Sequence, residues 1–432
     1  MSGNNVLSNP QVYLTGISYD TAPLLIREGL SISKGRIQEV LAELSRYVNS
    51  GVVLATCNRT EVYAVGDEKH SSAESIQDFF CEWSGFSQEQ LSPHLHTAQG
   101  RDAVRHLTET ASGLRSMIIG EWEIQGQVRQ AFRIAEQAGM VDPLLRKLFQ
   151  HAIHVGRRVR DETDISKNAL SVSSVAVNLA AKAVGDVRSC RVVLIGAGQA
   201  GKLVAKAFSQ RGMTGISVIN RSLQGAEELA ASLGGKAVEL NRLPEEMEAA
   251  DIVISCTGAP HIVVDCDLVR SVMHARPSRP LVIVDIAVPR DIDPGVKQID
   301  GVYLYDIDDF TQVSKTHRKA REREIAKAMC IIDEEMERFL EQWHSLSVKP
   351  VVDALMQKAE DIRKRQLQLT LKKLPPLSEE EQASIEAMTK SIVHKILHNP
   401  VEYLKSNGHR DGAMVETVKE LFGIDGKASL EK

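Results

Sequence analysis

Residues 191–212 read RVVLIGAGQAGKLVAKAFSQRG. A fully apolar strand runs straight into a glycine turn and then into a helical pattern. The turn, Gly196-Ala197-Gly198-Gln199-Ala200-Gly201, has GxGxxG spacing. That spacing carries meaning when it follows a buried strand and opens a helix, as it does here. Gly196 permits the tight turn, Gly198 admits a pyrophosphate to the backbone, and Gly201 allows close helix packing, with the helix N-terminus facing the anion. Further apolar runs follow at helix-sized intervals: GISVINRS (215–222), DIVISCTG (251–258), LVIVDIAVPRDID (281–293) and VYLYDID (302–308). Near-continuous apolar strands separated by helices predict a parallel, doubly wound sheet of Rossmann type. The end of the second strand selects the cofactor. A dinucleotide without a 2′-phosphate is usually held there by a carboxylate. Asn220-Arg221-Ser222 stand there instead, and Arg221 offers a fork to a 2′-phosphate. NADPH is therefore the expected cofactor. Ser255, Thr257 and Gly258, after another strand's carboxyl end, are expected on the nicotinamide side. The DIAVPRD segment is either part of that site or simply turn chemistry.

Composition sets the outer bounds. The 432 residues allow two to four domains, and 43% hydrophobic with 25% charged residues excludes a disordered or collagen-like chain. No apolar run reaches the roughly 20 residues of a membrane span. Met1–Pro10 has no signal-peptide core, which with six scattered cysteines and no CxxC points to a reducing cytoplasm, without a disulfide framework or a metal site. The net charge of −5 does not announce nucleic-acid binding. Any such surface must be local. Residues 129–160 supply a candidate: Arg129, Arg133, Arg146, Lys147, Arg157, Arg158 and Arg160 face only Glu136 and Asp142 in sequence. This segment is either a phosphate-backbone contact or a solvated helix face.

Upstream of the nucleotide motif, strand, helix and strand patterns (VYLTGISYD, then ISKGRIQEVLAELSRYV opening at Ser31 or Ser33, then GVVLATCNRTEVYAV) predict a small α+β domain, followed from Ala73 by helices. Downstream, from about Ser314, the chain reads as helical throughout. Breaks are expected at Lys349-Pro350 and Pro375-Pro376, and a helix opening at Ser378. Cys57, in ATCNRTE, is either a small buried hydrophobe or a nucleophile. The nucleophile needs nearby positive charge, for which Arg59 is the sequence neighbour. His106 is a candidate acid/base partner or a core histidine. Glu121, Glu123, Gln125 and Gln127 either line a polar pocket or form a solvated face.

Thr56 to Glu61 (TCNRTE), Ser112 to Val128 (SGLRSMIIGEWEIQGQV), GAGQAG and DIAVPRDIDP together resemble the glutamyl-tRNA reductase family, over about Val12 to Phe422. The resemblance implies an α/β multidomain architecture. It consists of an N-terminal α+β catalytic domain (11–164) with the start of a long linking helix, a Rossmann-type NADP-binding domain (165–315) and a C-terminal all-helical dimerisation domain (316–424). It further implies NADPH-dependent reduction of glutamate carried on its tRNA to glutamate-1-semialdehyde, the entry to 5-aminolevulinate and tetrapyrroles. Cys57 matches the family's nucleophile and His106 a histidine important for activity. Thr56, Asn58, Arg59, Ser116, Glu121, Trp122, Glu123 and Gln127 match substrate-contacting positions, and Gly196 to Gly201 the NADPH loop. Trp122 and Glu123 depart from the Pro and Gln that many members carry; an ionised Glu cannot donate as an amide does. Expected partners are glutamate-charged tRNA, a second copy of the chain and the downstream aminomutase. The rival readings are an NADP-dependent dehydrogenase of shikimate dehydrogenase type and a non-catalytic tRNA- or metabolite-sensing protein.

Overall fold

In a computed structural model, residues 11–33, 35–66, 72–167, 172–185, 187–213, 215–310, 319, 321–375, 377–407, 417–418 and 420–424 are described. The Met1–Pro10 segment, Leu170, Ser314 and Pro376 lie outside them. The described residues divide into two compact units, one within Val12–Asp333 and one from Glu334 onward.

The larger unit opens with β1 (Gln11–Ser18), α1 (Leu24–Gly29), α2 (Ile37–Leu44), β2 (Gly51–Ala55), β3 (Arg59–Gly66), α3 (Ala73–Ser84), α4 (Gln88–Leu91) and β4 (His96–Gln99). The helices α5 (Gly100–Ala111), α6 (Glu123–Gln137) and α7 (Pro143–Glu162) follow. The four strands form one sheet in the order β2-β3-β1-β4, with β2–β3 and β1–β4 antiparallel. Helix α7 starts where Asp142 accepts the N–H of Leu145 at 2.7 Å and Pro143 takes the first helical position. It packs on β3 through Phe149, whose ring meets Tyr63 edge-on at 5.7 Å.

Three local readings are corrected. No helix opens at Ser31 or Ser33: Ser33 accepts the N–H of Arg36 in a turn, and α2 begins at Ile37. Serines and Gly35 are poor helix interior residues, so the turn prevails. The apolar LLIREG forms α1 instead, and polar HTAQ forms the strand β4, whose partner β1 supplies the order that its own composition lacks. The linking helix expected at the end of the first domain stops at Glu162, where Thr163 turns extended.

The nucleotide-type layer comprises α8 (Val172–Val184), β5 (Val192–Ile195), α9 (Gln199–Ser209), β6 (Ile216–Ile219), α10 (Leu223–Ala231), β7 (Lys236–Val238), α11 (Leu243–Ala249), β8 (Ile252–Ser255), α12 (Cys266–Ala275), β9 (Leu281–Asp285) and β10 (Val302–Tyr305). Its six strands are parallel and ordered β7-β6-β5-β8-β9-β10. The chain reverses its winding between β5 and β8, so ligands are expected beyond the carboxyl ends of those two strands.

The smaller unit is built on α13 (Glu322–Leu371), whose first turns belong to the larger unit, and on α14 (Glu379–Asn407). Helix α13 runs unbroken through Lys349-Pro350, correcting the expected break there. A proline costs one backbone bond, and burial of Trp343, Val351, Val352 and Leu355 on either side offsets it. The start of α14 matches its reading. Ser378 Oγ accepts the N–H of Glu381 at 3.3 Å, and Glu381 accepts the N–H of Ser378 at 2.9 Å, a capping box. Among the described residues no helix is long and apolar enough to cross a membrane.

Gly120 shows how tightly the loop between α5 and α6 is held. Its φ is +82°, and an added Cβ would lie 1.9 Å from the Ile165 carbonyl oxygen. Gly120→Ala is therefore expected to cost about 2–4 kcal/mol of stability, combining a strained backbone with a backbone clash. Urea unfolding followed by circular dichroism reads this directly; a change below about 0.5 kcal/mol would contradict the packing described here.

Candidate functional site

The pairing of Ala55 with Thr60 makes Thr56-Cys57-Asn58 the turn between β2 and β3. Thr56 Oγ1 accepts the N–H of Asn58 at 3.1 Å and of Arg59 at 3.2 Å, and the Thr56 N–H donates to the Arg59 carbonyl at 2.8 Å. From outside, Tyr19 N–H donates to the Asn58 carbonyl at 2.8 Å, and Arg27 Nη1 donates to the Cys57 carbonyl at 3.3 Å. The turn is thus fixed at four consecutive residues, and Cys57 sits half-buried at its tip.

Burial, then the carboxylates Glu121 and Glu123, push the Cys57 thiol up to about 12, against the opposing charge of Arg27. Burial and Glu123 also push Glu121 up to about 7, against Arg59, and burial raises Glu123. The cation acting on the thiol is therefore Arg27, from α1, and not the expected Arg59. Arg59 alternates on β3 with the same face as Glu61 and turns inward. Its Nη1 donates to Glu61 Oε1 at 2.7 Å and to Thr110 at 3.3 Å, and its Nη2 donates to the Arg115 carbonyl.

Glu61 is fully buried and also accepts from Tyr63 at 2.7 Å and from His106 Nε2 at 3.0 Å. Burial opposes its charge, but Arg59 and His106 hold its carboxyl well below the usual carboxylate range. His106 is lowered by burial, against the opposing pull of Glu61. Among the described residues no hydrogen bond joins His106 to Cys57, so its expected role as the thiol's direct partner is replaced by a tie to Glu61. His96 stacks on His106 at 5.0 Å and brings its Nε2 to 3.6 Å from Glu61. Glu61, His96 and His106 have metal-ligand chemistry and cluster within 4.8 Å. The Arg59 guanidinium already occupies the Glu61 oxygen they share, and that charge opposes a divalent cation. The cluster joins β3, β4 and α5, and no local motif announces it.

Of the other expected substrate residues, Glu121 and Glu123 reach the thiol's surroundings, and Trp122 stands 53% exposed at the N-cap of α6. Ser116 is buried, with its carbonyl accepting from Tyr19 at 3.4 Å. Gln127 is half-buried one turn along α6. Gln125 leaves the set, because its Nε2 donates to the Ile153 carbonyl at 2.9 Å. In the basic segment, Arg146 pairs with Glu136 and Arg158 with Glu162, whereas Arg129, Lys147 and Arg157 are exposed.

The glycine turn has the shape of a phosphate cradle. Gly196 has φ +108°, and an added Cβ would lie 2.9 Å from the Cys256 carbonyl; at Gly201 it would lie 2.2 Å from the Gly196 carbonyl, and at Gly198 it meets nothing within 4 Å. The open position faces the start of α9, so the residues fit a dinucleotide. Asn220 Oδ1 accepts the N–H of Ala197 at 3.4 Å and ties this turn to the end of β6, where Arg221 and Ser222 are exposed. Ser255 is corrected as a ligand: it is fully buried and donates to Asp291 at 2.6 Å. Asp291 also accepts the Thr257 N–H at 2.8 Å and leaves Gly258 exposed. Asp285 accepts the N–H groups of Ala287, Asp291 and Ile292, and burial and Asp291 push it up to about 7. DIAVPRD is therefore a turn organised by its own carboxylates.

One hydrophobic cluster runs from Leu24, Met117 and Ile118 into the parallel sheet, and Cys57 and Tyr19 pack against it.

Three family models match in sequence order. They are the glutamyl-tRNAGlu reductase N-terminal domain over residues 15–163, shikimate/quinate 5-dehydrogenase over 178–313 and the glutamyl-tRNAGlu reductase dimerisation domain over 327–424. The chain is 38% identical to glutamyl-tRNA reductase of Desulfotalea psychrophila, with 96% of this chain and 99% of that one covered. It is also 38% identical to that of Bacillus subtilis, with 91% and 87% covered. The solved glutamyl-tRNA reductase of Methanopyrus kandleri is similar at 32% identity and a TM-score of 0.53, covering 96% of this chain and 99% of that chain.

The thiol's environment makes a measurable demand. Iodoacetamide modification of Cys57 in the free protein is expected to be slow at pH 7.5 and to climb tenfold per pH unit to at least pH 10, since only thiolate reacts. The other five cysteines are distinguished by peptide mass mapping. A plateau below pH 9 would show that burial and the two carboxylates do not hold the thiol protonated.

Proposed function

The chain belongs to the glutamyl-tRNA reductase family, and we propose that it reduces the glutamyl group of glutamyl-tRNA to glutamate-1-semialdehyde through a thioester on Cys57. It is an oxidoreductase of the first step of tetrapyrrole biosynthesis, and its shikimate-dehydrogenase-like domain is the nucleotide-binding part alone. The observation that carries this reading is Cys57, held at the tip of a fixed turn and packed against a cluster that continues into the nucleotide-binding sheet.

The residues divide the work as follows. The Cys57 thiolate attacks the aminoacyl ester carbon; the C–S bond forms, the C–O bond breaks, and the tRNA terminal hydroxyl leaves with a proton. The resting thiol, at about 12, is too weakly ionised to begin. The glutamyl α-ammonium, seated beside Glu121 and Glu123, cancels the negative field that holds the thiol protonated. Glu121, at about 7, is poised to take the thiol's proton. Arg59 retains donors beyond its three internal bonds and receives the substrate carboxylate. Thr56 and Asn58 hold the turn, Ser116 and Gln127 border the substrate, and His106 keeps Glu61 and hence Arg59 in register. NADPH, when bound, supplies the hydride that turns the thioester into the aldehyde. The fork of Arg221, with no carboxylate beside it, selects the 2′-phosphate, and Thr257 and Gly258 border the nicotinamide end.

We also place the domain boundaries at 11–164, 165–315 and 316–424, and a homodimer through the last. Exposed Arg129, Lys147 and Arg157 meet the tRNA backbone. The reactive aldehyde passes to an aminomutase, and the work is done in the cytoplasm.

Three experiments test this. With glutamate-labelled tRNA and no NADPH, label is expected to accumulate on Cys57 and to chase into aldehyde once NADPH is added. Cys57→Ser should lose nearly all turnover while still binding NADPH, and full turnover in that variant would end the thioester reading. Arg221→Ala is expected to weaken NADPH at least about tenfold and NADH hardly at all, by loss of a charge-assisted bond; equal effects on both would remove the 2′-phosphate assignment.

A further inference from the structure

Two adjacent residues of α1 reach out of the first domain to the nucleotide domain. Glu28 receives a full fork from Arg290 of the DIAVPRD turn: Nε to Oε1 at 2.7 Å, Nη2 to Oε2 at 2.6 Å, with the Arg290 backbone N–H adding a third bond at 2.8 Å. Arg27, 3% exposed, donates from Nη2 to Asp308, which follows β10. The same guanidinium donates from Nη1 to the Cys57 carbonyl at 3.3 Å and from Nε to the Ala22 carbonyl at 3.2 Å. One planar group thus connects the nucleophile's own backbone to the nucleotide domain. The anchoring segments on the far side follow β9 and β10, and the turn bearing Arg290 is the one whose Asp291 holds Thr257 beside the nicotinamide end.

We propose that Glu28–Arg290 and Arg27–Asp308 form a docking clasp that registers the nucleotide domain on the thiol turn, with Arg27 as the positioning residue for the hydride-transfer half of the reaction. The inference rests on the thioester reading above and adds residues that touch neither substrate nor cofactor. A fork between guanidinium and carboxylate fixes angle as well as distance, so it sets register where a single lysine contact would not. The clasp grips the Cys57 carbonyl rather than its sulfur, so acylation, in which the bound substrate itself seats the sulfur, proceeds without it. Hydride transfer does not, since a displacement of one ångström between acceptor and donor is costly. The free thiol, in turn, loses the cover of the cluster it packs against when the clasp opens.

The test uses the full-length enzyme with Glu28→Arg, Arg290→Glu and the double exchange. Each single reversal is expected to slow aldehyde formation from the pre-formed acyl-enzyme by about tenfold or more, while labelling of Cys57 without NADPH stays within about twofold. The double exchange restores the fork in reverse and is expected to recover most of the rate. Iodoacetamide modification of Cys57 supplies a second readout that needs no catalysis. Both single reversals should speed it and the double exchange should return it towards wild type, although the two reversals change the local field in opposite directions. Singles that leave hydride transfer unchanged, equal losses in labelling and hydride transfer, or a double exchange that fails to recover would each overturn the clasp. A wild-type enzyme that takes no label on Cys57 would overturn the thioester reading instead, and the alkylation series would still decide whether the contact holds the thiol turn.

Discussion

A single buried carboxylate organises the first domain. Glu61 has no solvent and four claims on it: Arg59 Nη1, the Tyr63 hydroxyl, His106, and His96 one step farther off. An ion taken from water at such a site is tolerated only when its lone pairs are filled, and removing one partner of a buried pair costs about 3–5 kcal/mol. The arrangement therefore has little freedom. Arg59 in turn grips Thr110 at the end of α5 and the carbonyl of Arg115, so β3, α5 and the loop running to Gly120 are assembled around one charge. The loop carries Ser116, Glu121 and Trp122, and β3 begins at the thiol turn. The loop and the thiol turn are thus placed by a network that lies beneath them.

The electrostatics above this network favour a closed resting state for the thiol. Two carboxylates and burial outweigh one arginine, so Cys57 is protonated throughout the physiological range. A permanently ionised thiol would be open to oxidation and disulfide exchange. In the reading proposed above, a thiol activated by its substrate's own ammonium group reacts only when that group is present. Burial, with Glu123 beside it, raises Glu121 into the range where it can exchange protons at neutral pH. Placing the carboxylates beside the thiol, which looks unfavourable for a nucleophile, is consistent once the substrate's charge is counted.

What could be read from the sequence follows the range of the interactions involved. The strand, glycine turn and helix at 191–212 are local, and so are the capping box at Ser378 and the Asn220-Arg221-Ser222 strand end; each was readable because residues within four positions of one another decide it. The strand β4 was not, because HTAQ is polar and becomes a strand only through its pairing with β1. The direction of Arg59 was hidden for a related reason. Sequence places it two residues from a thiol and two from a carboxylate, and only the pleat of β3, which puts Arg59 and Glu61 on one face, decides between them. Ser255 looked like a ligand from its place at a strand end; its buried bond to Asp291, thirty-six positions away, could not be read. Arg27 carried no motif at all, and its importance comes wholly from what α1 is packed against.

The smaller unit shows the opposite balance. Among its described residues one buried cluster is made of Val351, Val352 and Leu404, with Val401, Val418 and Ile424 packed against it, and Met336, Phe339, Trp343, Leu355 and Leu397 are buried besides. By contrast Met356, Ile362, Leu369, Met388, Ile392 and Ile396 are exposed on α13 and α14. Helices of this length derive most of their stability from tertiary burial of an apolar face rather than from propensity. A chain that leaves so many large apolar side chains in water has not finished burying its surface. The match of residues 327–424 to a dimerisation domain fits this surplus of exposed apolar surface, and under the homodimer proposed above the stability of these helices is tied to protomer concentration.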